Sequence, residues 1–283
     1  MELKYDAIAY IRQMGKAYHR LKLFLILGNE DKEINSLLDE IKSLQNPNGS
    51  WPWRWERGNP GGVIETTNAI EVLSKFRIGE VEQGISFIRS IQRNDGGWSE
   101  NPELSGYIPK EWVFWRTDCS SAFFTGEALC DLIMSVLKDN PAIKKGFNYL
   151  QEAQNEEGGW PLNSDSQYVK TDAICTNSAI RAFISMKKSR VSSILKRALK
   201  AVKSNYEGWM KILYSRSEPG FATAILESLL TLDPENRYIT ELLDYLVGIQ
   251  RHDGGWGWKE EASDPDPTLR CLEMLITTKT VGL

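Results

Sequence analysis

The sequence predicts an all-α protein, an α/α toroid of about eleven helices, six inner and five outer, spanning residues 1–283 as one domain. Three observations predict it. The first is a repeat. SLLDEIKSLQNPNGSW, QGISFIRSIQRNDGGW, KGFNYLQEAQNEEGGW and ELLDYLVGIQRHDGGW each run an amphipathic segment into Gln, then into Gly and Trp, ending at Trp51, Trp98, Trp160 and Trp256. The second is a period. With a fifth copy ending at Trp209, the tryptophans fall 47, 62, 49 and 47 residues apart, so one unit holds an insertion and the others are nearly constant. The third is a contrast in charge between alternating segments. The Gln-bearing helices carry Lys, Arg and Glu, whereas segments such as SSAFFTGEALCDLIM and TDAICTNSAIRAFISM are low in charge and suit an inner layer. Helices alternating in this way can stack as an open solenoid or close as a ring, and a count of eleven matches the ring.

The elements follow in order. An N-terminal helix is expected over residues 3–27, the repeats over 31–279, and no strand. The second helix of each repeat begins near Glu65, Asp118, Asp172, Glu218 and Asp266 and shares a Thr before an apolar stripe: TTNAIEVL, TGEALCDL, TNSAIRAF, TAILESLL and TLRCLEML. Acids and Thr suit a helix start because their oxygens accept from the free N–H groups of the first turn. The fifth copy, RALKAVKSNYEGW, keeps Gly208 and Trp209 but has Lys203 in place of Gln, and is expected to turn there like the others. The insertion covers residues 100–117 and includes the aromatic stretch Tyr107–Trp115.

Composition excludes several classes. Lys+Arg 34 against Asp+Glu 38, with no strongly basic stretch, argues against a nucleic-acid partner. The apolar run Leu21–Leu27 is too short to span a bilayer, and the first residues lack a signal-peptide pattern. His19 and His252 are the two histidines, too few for a His-rich metal site; His19 reads as a core or surface residue of the first helix. Cys119, Cys130, Cys175 and Cys271 lack CxxC spacing and read as reduced thiols of a cytoplasmic protein.

The segment Lys145–Trp160, KGFNYLQEAQNEEGGW, resembles the QW motif of the squalene cyclase and prenyltransferase repeat superfamily: Lys/Arg-Gly, two residues, an aromatic, Leu, three residues, Gln, then Gly-x-Trp. The copy ending at Trp98 has Gln83 for the base and Ile88 for Leu, and the others lack the first Gly. The pattern is closest to the β domain of class II terpene cyclases. Gln45, Gln92, Gln154, Gln250 and their tryptophans read as structural, each amide satisfying backbone groups at a helix end.

The resemblance implies an isoprenoid-handling protein that protonates and cyclises a prenyl chain. Class II cyclases protonate with the middle Asp of a DxDD motif, and Asp264-Pro265-Asp266-Pro267-Thr268 keeps the first two acids while the last is Pro. Asp266 would be the acid and Asp264 its partner, with Asp118 and Asp172 as further acids at inner-helix starts. Read from the residues alone, Asp266 before Pro267 is equally a helix N-cap. A helix N-terminus also favours the carboxylate, whereas a resting acid must hold its proton. Trp112, Phe114 and Trp115 of the insertion, with Phe123, Phe124, Phe183 and Phe221, are candidates for an aromatic lining that stabilises a cation; core packing explains the phenylalanines equally well. The insertion can serve as a plug, a lid or a peripheral membrane contact through residues 107–115.

No cofactor is implied, beyond Mg2+ if the substrate is a diphosphate, which the Arg-interleaved rim WPWRWERGNPGG could meet. The implied partner is an apolar isoprenoid-like molecule, with a partner chain completing the cavity. Three alternatives stand. A non-catalytic binding or scaffold protein could use the same cavity. A prenyltransferase β-subunit-like protein would need zinc held by Asp, Cys and His, and DPDPTLRCLEML supplies no His. A carbohydrate-active enzyme would need Asp118 and Asp172 facing across a cleft.

Overall fold

Gly15 breaks the first amphipathic stretch, so the helix expected over 3–27 is two: α1 (Ala7–Met14), capped by the Asp6 side chain on the Ala9 N–H, and α2 (Ala17–Leu27). In the computed structural model, which describes residues 3–28, 32–110, 112, 114–135, 140–162, 170–187, 192–258 and 261–279, ten more helices follow. They are α3 (Ile34–Ser43), α4 (Val63–Ser74), α5 (Glu80–Ser90), α6 (Ala122–Ser135), α7 (Pro141–Ala153), α8 (Ala173–Ser185), α9 (Ser193–Arg216), α10 (Pro219–Leu232), α11 (Tyr238–Gly248) and α12 (Pro265–Thr277). The described residues thus hold twelve α-helices rather than about eleven. They also hold four two-residue strands where none was expected, paired antiparallel as β1 (Trp51–Pro52) with β2 (Gly61–Gly62) and β3 (Trp160–Pro161) with β4 (Thr171–Asp172).

These strands belong to the Gly-Trp loops, which four copies build from the same bonds. The Trp backbone N–H donates to the hydroxyl of the Thr in the next helix: Trp51 to Thr66, Trp98 to Thr125, Trp160 to Thr176 and Trp256 to Thr268, at 2.8–3.0 Å. Each indole N–H donates at 2.6–2.7 Å to the carbonyl ten residues back, at Ile41, Ile88, Leu150 and Leu246. Each Gln amide donates to the Gly carbonyl four residues on and to a second carbonyl at or just before the start of another helix: Gln45 to Gly49 and Glu80, Gln92 to Gly96 and Ala142, Gln154 to Gly158 and Ile194, and Gln250 to Gly254 and Tyr5. The same side chain thus ties its own Gly-Trp loop to the start of another helix. The Gly of Lys145-Gly146 is explained by close approach: a Cβ there would lie 2.8 Å from the Trp98 ring.

The fifth copy does not turn, because it lacks one glycine. Gly49, Gly96, Gly158 and Gly254, two residues before each tryptophan, have φ between 88° and 97°, a region that side chains disfavour. The equivalent position before Trp209 is Glu207, so the chain stays helical and α9 runs through Gly208-Trp209 to Arg216. In place of the Gln clamp, Tyr206 stacks on Tyr238 with ring centres 3.7 Å apart and donates to the Glu241 carboxylate. After the last copy, the Gln250 amide donates to the Tyr5 carbonyl and its oxygen accepts from the N–H groups of Lys4 and Tyr5. The residues before α1 therefore take the place of the next Gln-bearing helix.

The chain forms two compact units, residues 39–201 and residues 1–38 with 202–283. In the first, α4, α6 and α8 lie side by side, with α5 packed on α4 and α6 and α7 on α6. In the second, α10, α12 and α2 form the corresponding row, with α11 on α10 and α1 on α12 and α2. Each unit is therefore two-layered. The rows are tied sideways by charge as well as by apolar packing: Glu127 of α6 with Arg181 and Ser178 of α8, Glu227 of α10 with Arg270 of α12, and Glu273 of α12 with Lys22 of α2. No helix of the described residues is long and apolar enough to cross a membrane.

Candidate active site at the helix starts

Asp264, not Asp266, caps α12. Its carboxylate accepts the Asp266 N–H at 2.8 Å, Pro265 takes the first helical position, and its backbone carbonyl accepts the Thr268 hydroxyl. The expected N-cap was displaced by two residues because Asp-Pro occurs twice in succession, and the first pair serves the helix. Asp266 is thereby released from capping. Its carboxylate lies 2.9 Å from His19 Nε2 of α2, with 62% of the side chain exposed against 5% for His19.

The imidazole orientation is decided by a backbone bond. The Lys16 N–H donates to His19 Nδ1 at 3.1 Å. A backbone N–H can only donate, so Nδ1 is the acceptor, the ring proton sits on Nε2, and Nε2 donates to Asp266. The surrounding protein raises the Asp266 carboxyl, but its interaction with the His19 imidazole, with Arg270 and Lys16 beyond, outweighs that. Its pKa lies below the ordinary carboxylate value. His19, expected as a plain core or surface residue, is the neighbour of Asp266 that sequence reasoning missed. Its partner lies 247 residues away, and no local spacing marks it.

The other acids are used within their own loops. Asp118 lies upstream of α6 rather than at its start. Arg116 binds it through two bonds at 2.7 and 2.6 Å and holds it below its ordinary pKa, and Arg93 donates to its carbonyl. Asp172 caps α8 by accepting the Cys175 N–H at 2.9 Å.

The predicted aromatics divide into four sets. Phe114, Trp115, Phe123 and Phe124 form one cluster at the start of α6, with Phe114–Phe123 centres 4.8 Å apart, Phe123–Phe124 5.0 Å and Trp115–Phe124 5.8 Å. Trp112 joins a different group, facing the Arg54 guanidinium, which also lies 4.7 Å over Trp53. Glu111 and Val113 of the insertion lie outside the described residues. Phe183 is buried between Phe147 and Trp160, a core position rather than a lining. Phe221, in the other unit, packs edge-on against Trp209. Among the described residues, no three His, Cys, Asp or Glu side chains gather to hold a metal ion.

One buried acid escaped sequence reasoning altogether. Glu100, fully buried, accepts the N–H of Val63 at 2.6 Å and of Asn101 at 2.7 Å through Oε1, and its Oε2 has no hydrogen-bond partner. It caps α4 from 37 residues away. Burial pushes its pKa up to about 7, against the two N–H groups that lower it. The folded chain therefore binds a proton that the unfolded chain has released between pH 4.5 and 7, and this contribution to stability is lost as pH rises through that window. Glu100→Gln should remove a pH-dependent loss of about 3 kcal/mol, read as the difference between wild-type and variant urea midpoints across that range. Parallel pH profiles would refute this.

Comparison with known proteins bears on these positions. The family described as the squalene-hopene cyclase C-terminal domain matches residues 17–172, a segment that holds His19, Asp118, Asp172 and the insertion and ends before Asp264. A squalene–hopene cyclase of Zymomonas mobilis is 29% identical over 137 residues, 46% of this chain and 20% of that protein. Another from Bradyrhizobium diazoefficiens is 30% identical over 138 residues, 47% of this chain and 20% of that protein. The chain thus spans about a fifth of the length of these curated relatives. A type II terpene cyclase from Scytonema, solved with geranylgeranyl dihydroxybenzoate, superposes with a TM-score of 0.64 at 12% identity, covering 94% of this chain and 87% of that one. An alpha-amylase from Clostridium perfringens superposes with a TM-score of 0.63 at 12% identity, covering 92% and 86%. What is shared at these identities is the fold, an α/α toroid, and activity has to be argued from the site.

Proposed function

Because the chain belongs to the squalene-hopene cyclase C-terminal domain family, we propose that it binds an apolar isoprenoid chain and cyclises it by protonation, as class II terpene cyclases do. The observation that carries this reading is the Asp266–His19 pair, an accessible carboxyl freed from helix capping. The His19 Nε2–H donates to Oδ1, which stabilises the carboxylate left behind and makes a proton on Oδ2 a stronger acid. In the initiating step the Oδ2–H bond breaks, a C–H bond forms at the less substituted alkene carbon, and the neighbouring carbon becomes cationic. Ring closure moves the charge along the chain until a proton is lost. Aromatic faces such as those of the Phe114, Trp115 and Phe123 cluster suit such a cation. Asp264 is a positioning residue here, since it caps α12 and leaves Asp266 free.

The test is direct. The protein is incubated with farnesyl and geranylgeranyl diphosphate, squalene and oxidosqualene, and the extracts are read by gas chromatography–mass spectrometry beside Asp266→Asn. A cyclic product absent from the variant is expected. A product that survives the substitution would remove Asp266 from the chemistry.

A second reading, a non-catalytic protein that binds an apolar ligand, is favoured by the same pair, because Asp266 is ionised at neutral pH. Substrate binding without any product down to pH 5, unchanged in Asp266→Asn, would select it.

A further inference from the structure

The missing turn of the fifth copy leaves a groove. Because α9 continues seven residues past Trp209, its last turns form a wall against α11. Between them lies a cavity of about 670 Å³, lined on α9 by Leu213 and Tyr214 and on α11 by Glu241, Asp244, Tyr245 and Gly248. The α11 residues fall at helical spacing along one face. The Tyr214 and Tyr245 rings meet at 85° with centres 5.6 Å apart, and Tyr245 is fixed by donating to the Leu213 carbonyl at 2.9 Å. Tyr214 is 65% exposed, so its ring is open to the groove and to solvent. Burial pushes the Tyr245 phenol up to about 12, so it stays neutral. Gly248 is exposed on the lining, and a Cβ there would meet nothing within 4 Å, so a longer side chain has room to enter the groove.

The charge of this lining has one sign. Asp244 and Glu241 are both exposed; Glu241 gives one oxygen to the Tyr206 hydroxyl, and the lining includes no Lys, Arg or His. Perpendicular aromatic rings beside carboxylates, with the apolar Leu213 and Ile249 in the same lining, suit a cation that carries an apolar body. The volume is that of a small-molecule site.

We infer that the groove between α9 and α11 binds a small organic ammonium ion, its charge met by Asp244 and its apolar body by Tyr214 and Tyr245. This site is separate from the Asp266–His19 pair, so it stands whether or not the chain is a cyclase.

Phenethylammonium is the probe and 2-phenylethanol its uncharged counterpart, both titrated by calorimetry and by ligand-observed NMR. Saturable binding of the ammonium is expected, weakening with added salt and absent for the alcohol. Asp244→Asn should weaken it about tenfold, the loss of roughly one charge contact. Gly248→Leu should abolish it while the thermal midpoint is kept or raised, because the side chain enters open space and helix propensity improves. Equal binding of the alcohol, wild-type affinity in either variant, or no saturation at millimolar probe would each overturn the inference.

Discussion

Trp98→Ala is expected to be the most damaging single change in the chain. The ring is fully buried, its indole N–H donates to the Ile88 carbonyl at 2.7 Å, and it packs on Gly146 of α7. Truncating a buried Trp costs about 3–5 kcal/mol in lost packing and cavity. The Ile88 carbonyl, left buried without its donor, adds about 1–3 kcal/mol. Against a total stability of about 5–15 kcal/mol, the variant should be marginal or unfolded. Trp98→Phe restores the ring but not the donor and should fall between. Trp209→Ala is the control. That residue is buried within α9 against Phe221, without the Gly-Trp loop around it, so its loss should approach the packing part alone. Thermal melts followed by circular dichroism read all three. Equal losses for Trp98→Ala and Trp209→Ala would show that the repeated hydrogen bonds add nothing beyond burial.

Asp266→Asn should abolish the proposed cyclisation, by about 10²–10⁴-fold, the usual worth of a positioned general acid. The pH dependence is the sharper readout. The carboxyl lies below its ordinary pKa, so near neutrality only a small fraction carries the proton. Turnover should therefore rise about tenfold per unit as pH falls, until the pKa is approached. His19→Phe removes the donor to Oδ1 and moves Asp266 toward the ordinary value, so its profile should level off at higher pH, while His19→Gln, which keeps a donor, should restore part of the shift. A profile that is flat between pH 5 and 8, or unmoved by His19→Phe, would exclude Asp266 as the acid. The two sets of variants also separate fold from chemistry, since Asp266 is exposed and its amide should leave the melt nearly unchanged.

The fold was legible in the sequence because its rules are local. Each loop needs a Gln, a glycine that can take positive φ, a Trp and a Thr at the next helix start, and all of these recur within one period. Even the failure of the fifth copy can be read there in hindsight, since Glu207 stands where the other copies have glycine. Gly15 was harder, because a single glycine inside an amphipathic run is tolerated at modest cost and does not by itself mark a break.

The site was legible only as a set of residue types. Asp264 and Asp266 stood out as a pair of acids, but which of them caps α12 depends on which Asp-Pro step opens the helix. Phe183 looked like Phe123, and only packing put one in the core and the other in a cluster with the insertion. By itself the sequence determined an all-helical repeat chain with its Gln, Trp and Thr joints, because these bonds join residues within one repeat or its neighbour. The tertiary structure alone decided that His19 meets Asp266, that Glu100 caps α4 and that Gln250 holds the residues before α1. Each of those contacts joins groups 37 or more residues apart, and which distant helix starts become neighbours is a property of the packed rows, not of any local spacing.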